Sequence, residues 1–388
     1  MALIPEQPTT TGRIYQWYEE NRDPQRTHLG ASIIGDPCQR KLWYAFRWAM
    51  AETFSGRVLR LFKRGQLEEA NFFVQELRAI GVTVWEVDPT TGRQFRMKWA
   101  NGHMGGSSDG VALGLVESPK TPHLLEFKTS SKKQFDELLK KGVKEKYPTH
   151  YGQMQCYMLG LDLKRALYLV TCKDDDRIYQ ERVHYSATEA KEYIAKGEQI
   201  VNAKTPVDLP RISERPDWYQ CKFCDYAAVC HGNAIPAVNC RTCAHSSPVD
   251  NGAWSCAYYS AEMPAEAQRE GCSKHIYIPD LIPAQMIDAS ESENFVEYKT
   301  EGGTVFRNGQ GVTDFISTEL HAGGLAAVED KLSNDLKKKA TELLAKADQK
   351  VIIQNGNPLP AGSADISKEI KSAMEQASEL APWETAKA

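Results

Sequence analysis

Leu124-Leu125-Glu126-Phe127-Lys128 decides how this 388-residue chain is read. Its leucines and phenylalanine mark a short strand of the kind found at the centre of a sheet. Successive side chains on a strand alternate, so Glu126 and Lys128 share one face. An acid and a lysine side by side can hold a divalent metal and orient a water molecule.

Upstream, the segment 103–115 is expected to pair with 122–129 and carries Gly105-Gly-Ser-Ser-Asp109-Gly110. Asp109 adds a second carboxylate, and the Gly-Gly-Ser-Ser run is expected to bring the backbone close to a substrate. Residues 58–80 have helical spacing of apolar positions, with Gly81 as the stop. Glu69, four residues after Gly65, is a further ligand candidate, with Glu68 beside it as the competing choice. Residues 82–87 read as a strand.

Downstream, residues 131–146 carry Lys132, Lys133, Lys140, Lys141, Lys144 and Lys146, either a phosphate-tracking groove or a solvated helix face. Pro148 opens a helix to about Leu159 that holds Gln153 and Tyr157 at i,i+4 on one face. Strands 166–172 and 177–185 surround the polar turn Lys173-Asp-Asp-Asp, and a helix covers 188–202. This order fits an α/β core with a mixed central sheet flanked by helices.

A hydrophobic content of 41% and a charged content of 25% are ordinary for a globular protein. No run of eighteen apolar residues is present, and Met-Ala-Leu-Ile-Pro-Glu-Gln-Pro lacks the blocks of a signal peptide. A reducing cytoplasm, without membrane association, is therefore expected. The net charge of −4 is unevenly spread: from residue 285 onward 11 Lys and Arg face 17 Asp and Glu, leaving 36 against 34 before it. No Walker A motif occurs, so ATP is not an expected partner.

In a reducing compartment, clustered cysteines more often bind metal than form disulfides. Eight of the ten fall into two groups: Cys38 with Cys221, Cys224 and Cys230, and Cys240, Cys243, Cys256 and Cys272. Thiolates suit iron–sulfur clusters and zinc alike. For the second group a four-thiolate Zn²⁺ site is expected, with His245 or His275 able to replace one thiolate. Trp254, Tyr258, Tyr259 and Tyr277 supply a small core there or a stacking surface. Cys156 and Cys172 sit in apolar sequence and read as buried free thiols. The expected domains are 1–235, a Cys-rich module at 236–283, and an acidic, mostly helical region at 284–388 with helices near 326–348 and 364–379 around a loop at 355–362.

Taken in order, Gly65-x3-Glu69, Gly106-x2-Asp109-Gly110, Glu126-x-Lys128 and Gln153-x3-Tyr157 resemble the PD-(D/E)xK nucleases. The trailing Gln-x3-Tyr marks the branch of RecB-like domains, lambda-type exonucleases and CRISPR-associated RecB-like nucleases. The resemblance spans roughly residues 30–232. It implies a restriction-endonuclease-like core and a Mg²⁺- or Mn²⁺-dependent DNA exonuclease serving recombination, repair or replication, with a phage origin and a host cytoplasm. Asp109 and Glu126 would ligate the metal, Lys128 would position or activate water, and Glu69 would complete the site. Gln153 and Tyr157 would touch DNA or support the lysine, with Lys132 and Lys133 on the phosphate backbone. Cys38, Cys221, Cys224 and Cys230 match relatives whose 4Fe–4S cluster clasps the domain. A recombination or single-strand annealing protein is the implied protein partner. Many relatives have histidine where this chain offers Glu69 or Gln66, which leaves that motif the least secure. Two other classes compete: a non-catalytic DNA-binding scaffold, and a zinc-dependent adaptor centred on the second cysteine group.

Overall fold

The computed structural model describes residues 9–350, with no side chain described at Glu69. The expected loop at 355–362 and helix at 364–379 lie outside the described residues. The chain folds as two compact units, residues 9–226 with 246–268, and residues 227–245 with 269–350.

The first unit opens with α1 (Thr10–Glu20), β1 (Leu29–Gly30) and α2 (Gln39–Phe46). A long helical stretch follows, α3 (Gly56–Glu68) and α4 (Val74–Ala79), joined without a break by a π-helical turn at Glu69–Phe73. Gly81, at φ +86°, ends it as the sequence predicts, because a residue with a Cβ is strained there. Then come β2 (Thr83–Trp85), β3 (Arg96–Trp99), β4 (Met104–Ser107), β5 (Gly110–Leu113) and β6 (His123–Ser130). Helices α5 (Lys132–Lys146) and α6 (Pro148–Gly160) lead to β7 (Arg165–Cys172), β8 (Ile178–His184) and α7 (Ala187–Asn202).

The main sheet has the order β2-β5-β6-β7-β8, with β6 and β7 parallel and the other pairs antiparallel. The parallel pair needs a crossover, which α5 and α6 supply. β6 is the middle strand, as its apolar run predicts. Leu125 and Phe127 turn to one face, joining Leu167, Leu169, Val84 and Ala112 under Phe73, Val74 and Leu77 of the long helix. Phe73 stacks on Phe127 at 4.9 Å. Leu124, Glu126 and Lys128 therefore face the other side, where α6 packs on β6. A second sheet, β1-β4-β3, brings β4 alongside and leaves Ser108-Asp109 as the hinge into β5.

Residues 246–268 lie within the segment 236–283 expected to be a Cys-rich module. They form a small antiparallel sheet, β9 (Ser246–Pro248), β10 (Trp254–Cys256) and β11 (Ala261–Met263), within the first unit. Its anchor is Trp254, wholly buried against Phe46 at 5.2 Å and His103 at 5.7 Å. The Arg47 guanidinium lies 5.3 Å from the Trp43 ring and 4.9 Å from that of Trp254. Burial pulls its pKa down to about 10. An aromatic core holds this segment.

In the second unit a small sheet precedes the expected helix. Residues 285–308 form an antiparallel meander, β12 (Gln285–Ser290), β13 (Phe295–Lys299) and β14 (Val305–Asn308). Phe295, Val296, Tyr298 and Phe306 are buried there, and Asn294 makes the tight turn at φ +54°. The helix Ser317–Lys350 follows, kinked at Gly324, and includes the expected 326–348 stretch.

Candidate active site

Four residues from three elements meet on the α6 side of β6. The Glu126 side chain is 0% exposed and Lys128 Nζ lies 2.6 Å from its Oε1. Gln153, reaching down from α6, donates from Nε2 to Glu126 Oε2 at 3.0 Å. Oε2 thus accepts a hydrogen bond and Oε1 faces the lysine in an ion pair, so the buried charge is compensated. Asp109, at the hinge between β4 and β5, accepts the Phe127 backbone N–H at its Oδ2 (2.8 Å). That bond fixes the second carboxylate against the strand residue lying between Glu126 and Lys128.

Lys128 Nζ also donates to the Phe127 carbonyl at 2.7 Å. Its side chain, 26% exposed, carries the centre's charge to the surface. Oxygen donors from Glu126 and Phe127 thus already converge on a cation, here the chain's own ammonium group. The donor set, with Asp109 alongside, fits a hard divalent ion of the Mg²⁺ class.

Tyr157 stands one turn beyond Gln153 on α6 and is 2% exposed. Burial raises its phenol pKa, reinforced by the Glu126 and Asp109 carboxylates, so it remains a donor. Its room comes from β4: a Cβ on Gly106 would lie 2.2 Å from Tyr157 Oη, and one on Gly105 2.7 Å from the Met97 carbonyl. The Gly-Gly run thus has a packing role inside the protein.

Sequence reasoning missed His150 and Tyr168. His150 sits three residues before Gln153 on the same face of α6, a spacing visible in Pro148-Thr-His-Tyr-Gly-Gln153. Its Nδ1 lies 2.8 Å from Tyr168 Oη and its ring stacks on Tyr147 at 4.8 Å. Tyr168 pairs with Glu126 across β6 and β7, so both side chains occupy one face. Burial first, and the Lys128 charge second, push the His150 pKa down to about 3.

The remaining expected residues are distributed as follows. Glu69 lies in the π-helical turn, and its side chain is outside the described residues. Three of the six α5 lysines are neutralised: Lys144 pairs with Glu189 at 2.8 Å, Lys141 with Glu145 at 3.2 Å, and Lys146 with Glu137. Lys132 Nζ is 3.9 Å from Asp175, while Lys133 has no ion pair among the described residues.

All ten cysteines are free thiols. Cys38, Cys221 and Cys224 belong to the first unit and Cys230 to the second. Burial raises the Cys224 pKa, with the Cys38 thiol acting in the same direction and Lys41 against it. In the other group, Cys256 belongs to the first unit and Cys240, Cys243 and Cys272 to the second. Burial pushes the Cys243 thiol up to about 12, and the Cys240 and Cys272 thiols add to the effect. His245 Nε2 is 2.6 Å from Asn294 Oδ1, and His275 Nε2 is 3.1 Å from the Asn239 carbonyl, so each imidazole is already engaged. Among the described residues, no three or more His, Cys, Asp or Glu side chains are arranged to hold a metal ion. Nor is any helix among them long and apolar enough to cross a membrane.

No protein-family model and no curated protein matches this sequence. Among solved structures, an alkaline exonuclease from Laribacter hongkongensis, LHK-Exo, is similar over 48% of this chain and 90% of its own, at 16% identity and a TM-score of 0.33. The same protein in complex with dAMP is similar over 48% and 89%, with the same identity and score. A protein called SSO0001 is similar over 58% of this chain and 98% of its own, at 13% identity and a TM-score of 0.33. At that degree of overlap the functional reading rests on the residues of the site.

Proposed function

We propose that this chain is a divalent-metal-dependent deoxyribonuclease that degrades DNA from an end. One observation carries the reading. A wholly buried carboxylate, Glu126, is clamped by Lys128 at 2.6 Å and Gln153 at 3.0 Å beside a second anchored carboxylate, Asp109. A core selected for packing alone has no use for that set, because buried ions cost more to desolvate than their attraction returns.

Asp109 and Glu126 would hold Mg²⁺ or Mn²⁺. Once bound, such an ion neutralises charge on a phosphodiester and lowers the pKa of a bound water. The protein's own groups do the rest. Gln153 keeps the Glu126 carboxylate in one rotamer, and Asp109 is kept in place by the Phe127 N–H. Lys128 offers a proton-bearing ammonium where the site reaches solvent, placed to orient a water or to steady a phosphate oxygen. Tyr157 stays protonated and presents a hydroxyl donor beside both carboxylates.

The first of the two four-cysteine groups of the sequence is proposed to ligate an iron–sulfur cluster, and the second a Zn²⁺ ion. Support for each comes from the donor chemistry of clustered thiolates. Their role in this reading is structural, since metal–thiolate bonds stabilise the folded chain directly.

The test is hydrolysis of end-labelled linear DNA, and of closed circular DNA, by anaerobically purified protein. Mg²⁺-dependent loss of the linear substrate, abolished by EDTA and by Lys128→Ala, is the expected result. DNA binding without cleavage, unchanged by Lys128→Ala, overturns the reading in favour of a non-catalytic scaffold.

A further inference from the structure

Gln153 of α6 meets Glu126 of β6. Going back three residues along the helix and forward two along the strand leads to His150 and Lys128, whose charge acts on the imidazole. The imidazole is held on two sides. Its Nδ1 lies 2.8 Å from Tyr168 Oη, and its ring stacks on Tyr147 at 4.8 Å with the planes 25° apart. Tyr168 stands across from Glu126 and is wholly buried, whereas His150 is half-buried. The other ring nitrogen, Nε2, has no hydrogen-bond partner among the described residues and is not enclosed by them.

Which nitrogen carries the proton follows from Tyr168. Its hydroxyl is buried, and His150 is its one hydrogen-bond partner among the described residues. Were the imidazole the donor, the phenol hydrogen would be left in the interior without an acceptor, which costs more than the bond returns. Tyr168 therefore donates, Nδ1 accepts, and in the neutral ring the hydrogen sits on Nε2. Burial and the Lys128 charge keep the ring neutral. A nitrogen that carries hydrogen has no lone pair for a metal ion, so Nε2 is a hydrogen-bond donor and not a ligand. Its acceptor has to come from outside the chain. Beside Lys128 and the two carboxylates, the substrate group that brings acceptor oxygens is the phosphodiester.

We propose that His150 is a catalytic residue whose Nε2–H donates a hydrogen bond to a non-bridging oxygen of the phosphodiester being cut, with Tyr168 as the positioning residue that fixes the donor tautomer. This assignment rests on the nuclease reading. Lys128 supplies charge at the mouth of the site, while the imidazole, held at Nδ1 and across its face, supplies a fixed direction.

The experiment compares full-chain wild type, His150→Ala, His150→Gln and Tyr168→Phe in the hydrolysis of end-labelled linear DNA with Mg²⁺. The same proteins are titrated with Mn²⁺ in the absence of DNA. The imidazole ¹⁵N spectrum of the metal-free wild type is recorded as well, its His150 signals assigned by their absence from His150→Gln. His150→Ala should lower kcat/KM by about tenfold to a hundredfold, the loss of one hydrogen bond to a charged acceptor. His150→Gln, which keeps an N–H donor without the ring, should recover most of that loss. Tyr168→Phe should lower kcat/KM by a smaller factor, because the ring survives but its tautomer is released. Mn²⁺ affinity should be unchanged in all three variants, and the spectrum should place the hydrogen on Nε2. Wild-type rates in His150→Ala overturn the assignment. Equal losses in the Ala and Gln variants also overturn it, and make the ring a packing element. A hydrogen found on Nδ1, or Mn²⁺ affinity lost in His150→Ala, overturns it in favour of a metal ligand. Each of those outcomes leaves wild-type cleavage, and with it the nuclease reading, in place. A wild type that does not cleave in Mg²⁺ removes the nuclease reading and the part assigned to His150 together.

Discussion

Replacing Gly106 by Ala tests how Tyr157 is placed. The new Cβ would stand 2.2 Å from Tyr157 Oη and 2.9 Å from Cε1 and Cζ. Ordinary contact begins at 3.4 Å, so ring and strand must separate by roughly 1.2 Å. A flexible side chain would swing aside, but Tyr157 is 2% exposed on a helix whose neighbouring Met154 and Met158 are wholly buried. The backbone cannot retreat either, because β4 is hydrogen-bonded on both edges, to β1 and β3. Overpacking of this kind costs about 1–3 kcal/mol. Tyr157→Phe removes the 2.2 Å contact and leaves those at 2.9 Å, so it should recover part of that loss. Urea denaturation of the two single variants, the double variant and wild type gives the coupling directly. A coupling energy near 1 kcal/mol between the sites is expected, together with slower DNA cleavage in Gly106→Ala, since Tyr157 is driven off the carboxylates. A Gly106→Ala protein within about 0.5 kcal/mol of wild type, or strictly additive effects, would refute the packing account.

Lys128→Met removes the counter-ion of a buried carboxylate. It should cost about 3 kcal/mol in chemical denaturation and abolish cleavage, the partial exposure of Lys128 keeping the loss at the lower end of the usual range. Glu126→Met/Lys128→Met should regain that loss or exceed wild-type stability while staying inactive, which denaturation and cleavage assays check side by side. His150 gives a pH signature. Its folded pKa, about 3, lies below the ordinary 6.5, so unfolding takes up a proton. The stability contributed by neutral His150 is complete above 6.5 and lost as pH falls from there towards 3, at no more than about 1.4 kcal/mol per pH unit. Denaturation midpoints at neutral and mildly acidic pH should therefore converge in His150→Phe; an unchanged difference would remove His150 from the account. Cys221→Ala should lower soluble yield and remove the brown visible absorbance of anaerobically purified protein, and a colourless wild type would end the iron–sulfur proposal.

How much the sequence disclosed follows from which forces act locally. The strand Leu124–Lys128, the helix carrying Gln153 and Tyr157, and the stop at Gly81 were legible because period, proline and glycine act within a few residues. Periodicity put Gln153 with Tyr157 on one helix face and Glu126 with Lys128 on one strand face; that these two faces meet is a tertiary fact shown only by the fold. Three things were not legible. The pairing of Lys144 with Glu189 and of Lys146 with Glu137 joins residues 45 and 9 positions apart, so the lysine run looked free in sequence. The meander at 285–308 was hidden because β12 is exposed at nearly every position and so shows no alternation of apolar and polar residues. Cysteine spacing also drew attention from Trp254, whose partners Phe46, Arg47 and His103 come from far earlier in the chain.

The double variant at 126 and 128 reaches the deepest reason for the functional reading. Glu126 occupies the centre of the middle strand, flanked by Leu124, Leu125 and Phe127, at a position where an apolar side chain would pack without penalty. Holding a carboxylate there requires a lysine bent back at 2.6 Å, an amide brought from another helix at 3.0 Å, and a neighbouring tyrosine kept protonated. Each accessory has its own cost: Gln153 is buried with its amide committed, and Tyr157 fits only because position 106 lacks a Cβ. A fold needs none of this, whereas a reaction that must hold a cation and a water in fixed geometry needs all of it. If the apolar pair proves the more stable protein, the stability that wild type gives up is a direct measure of what the site requires.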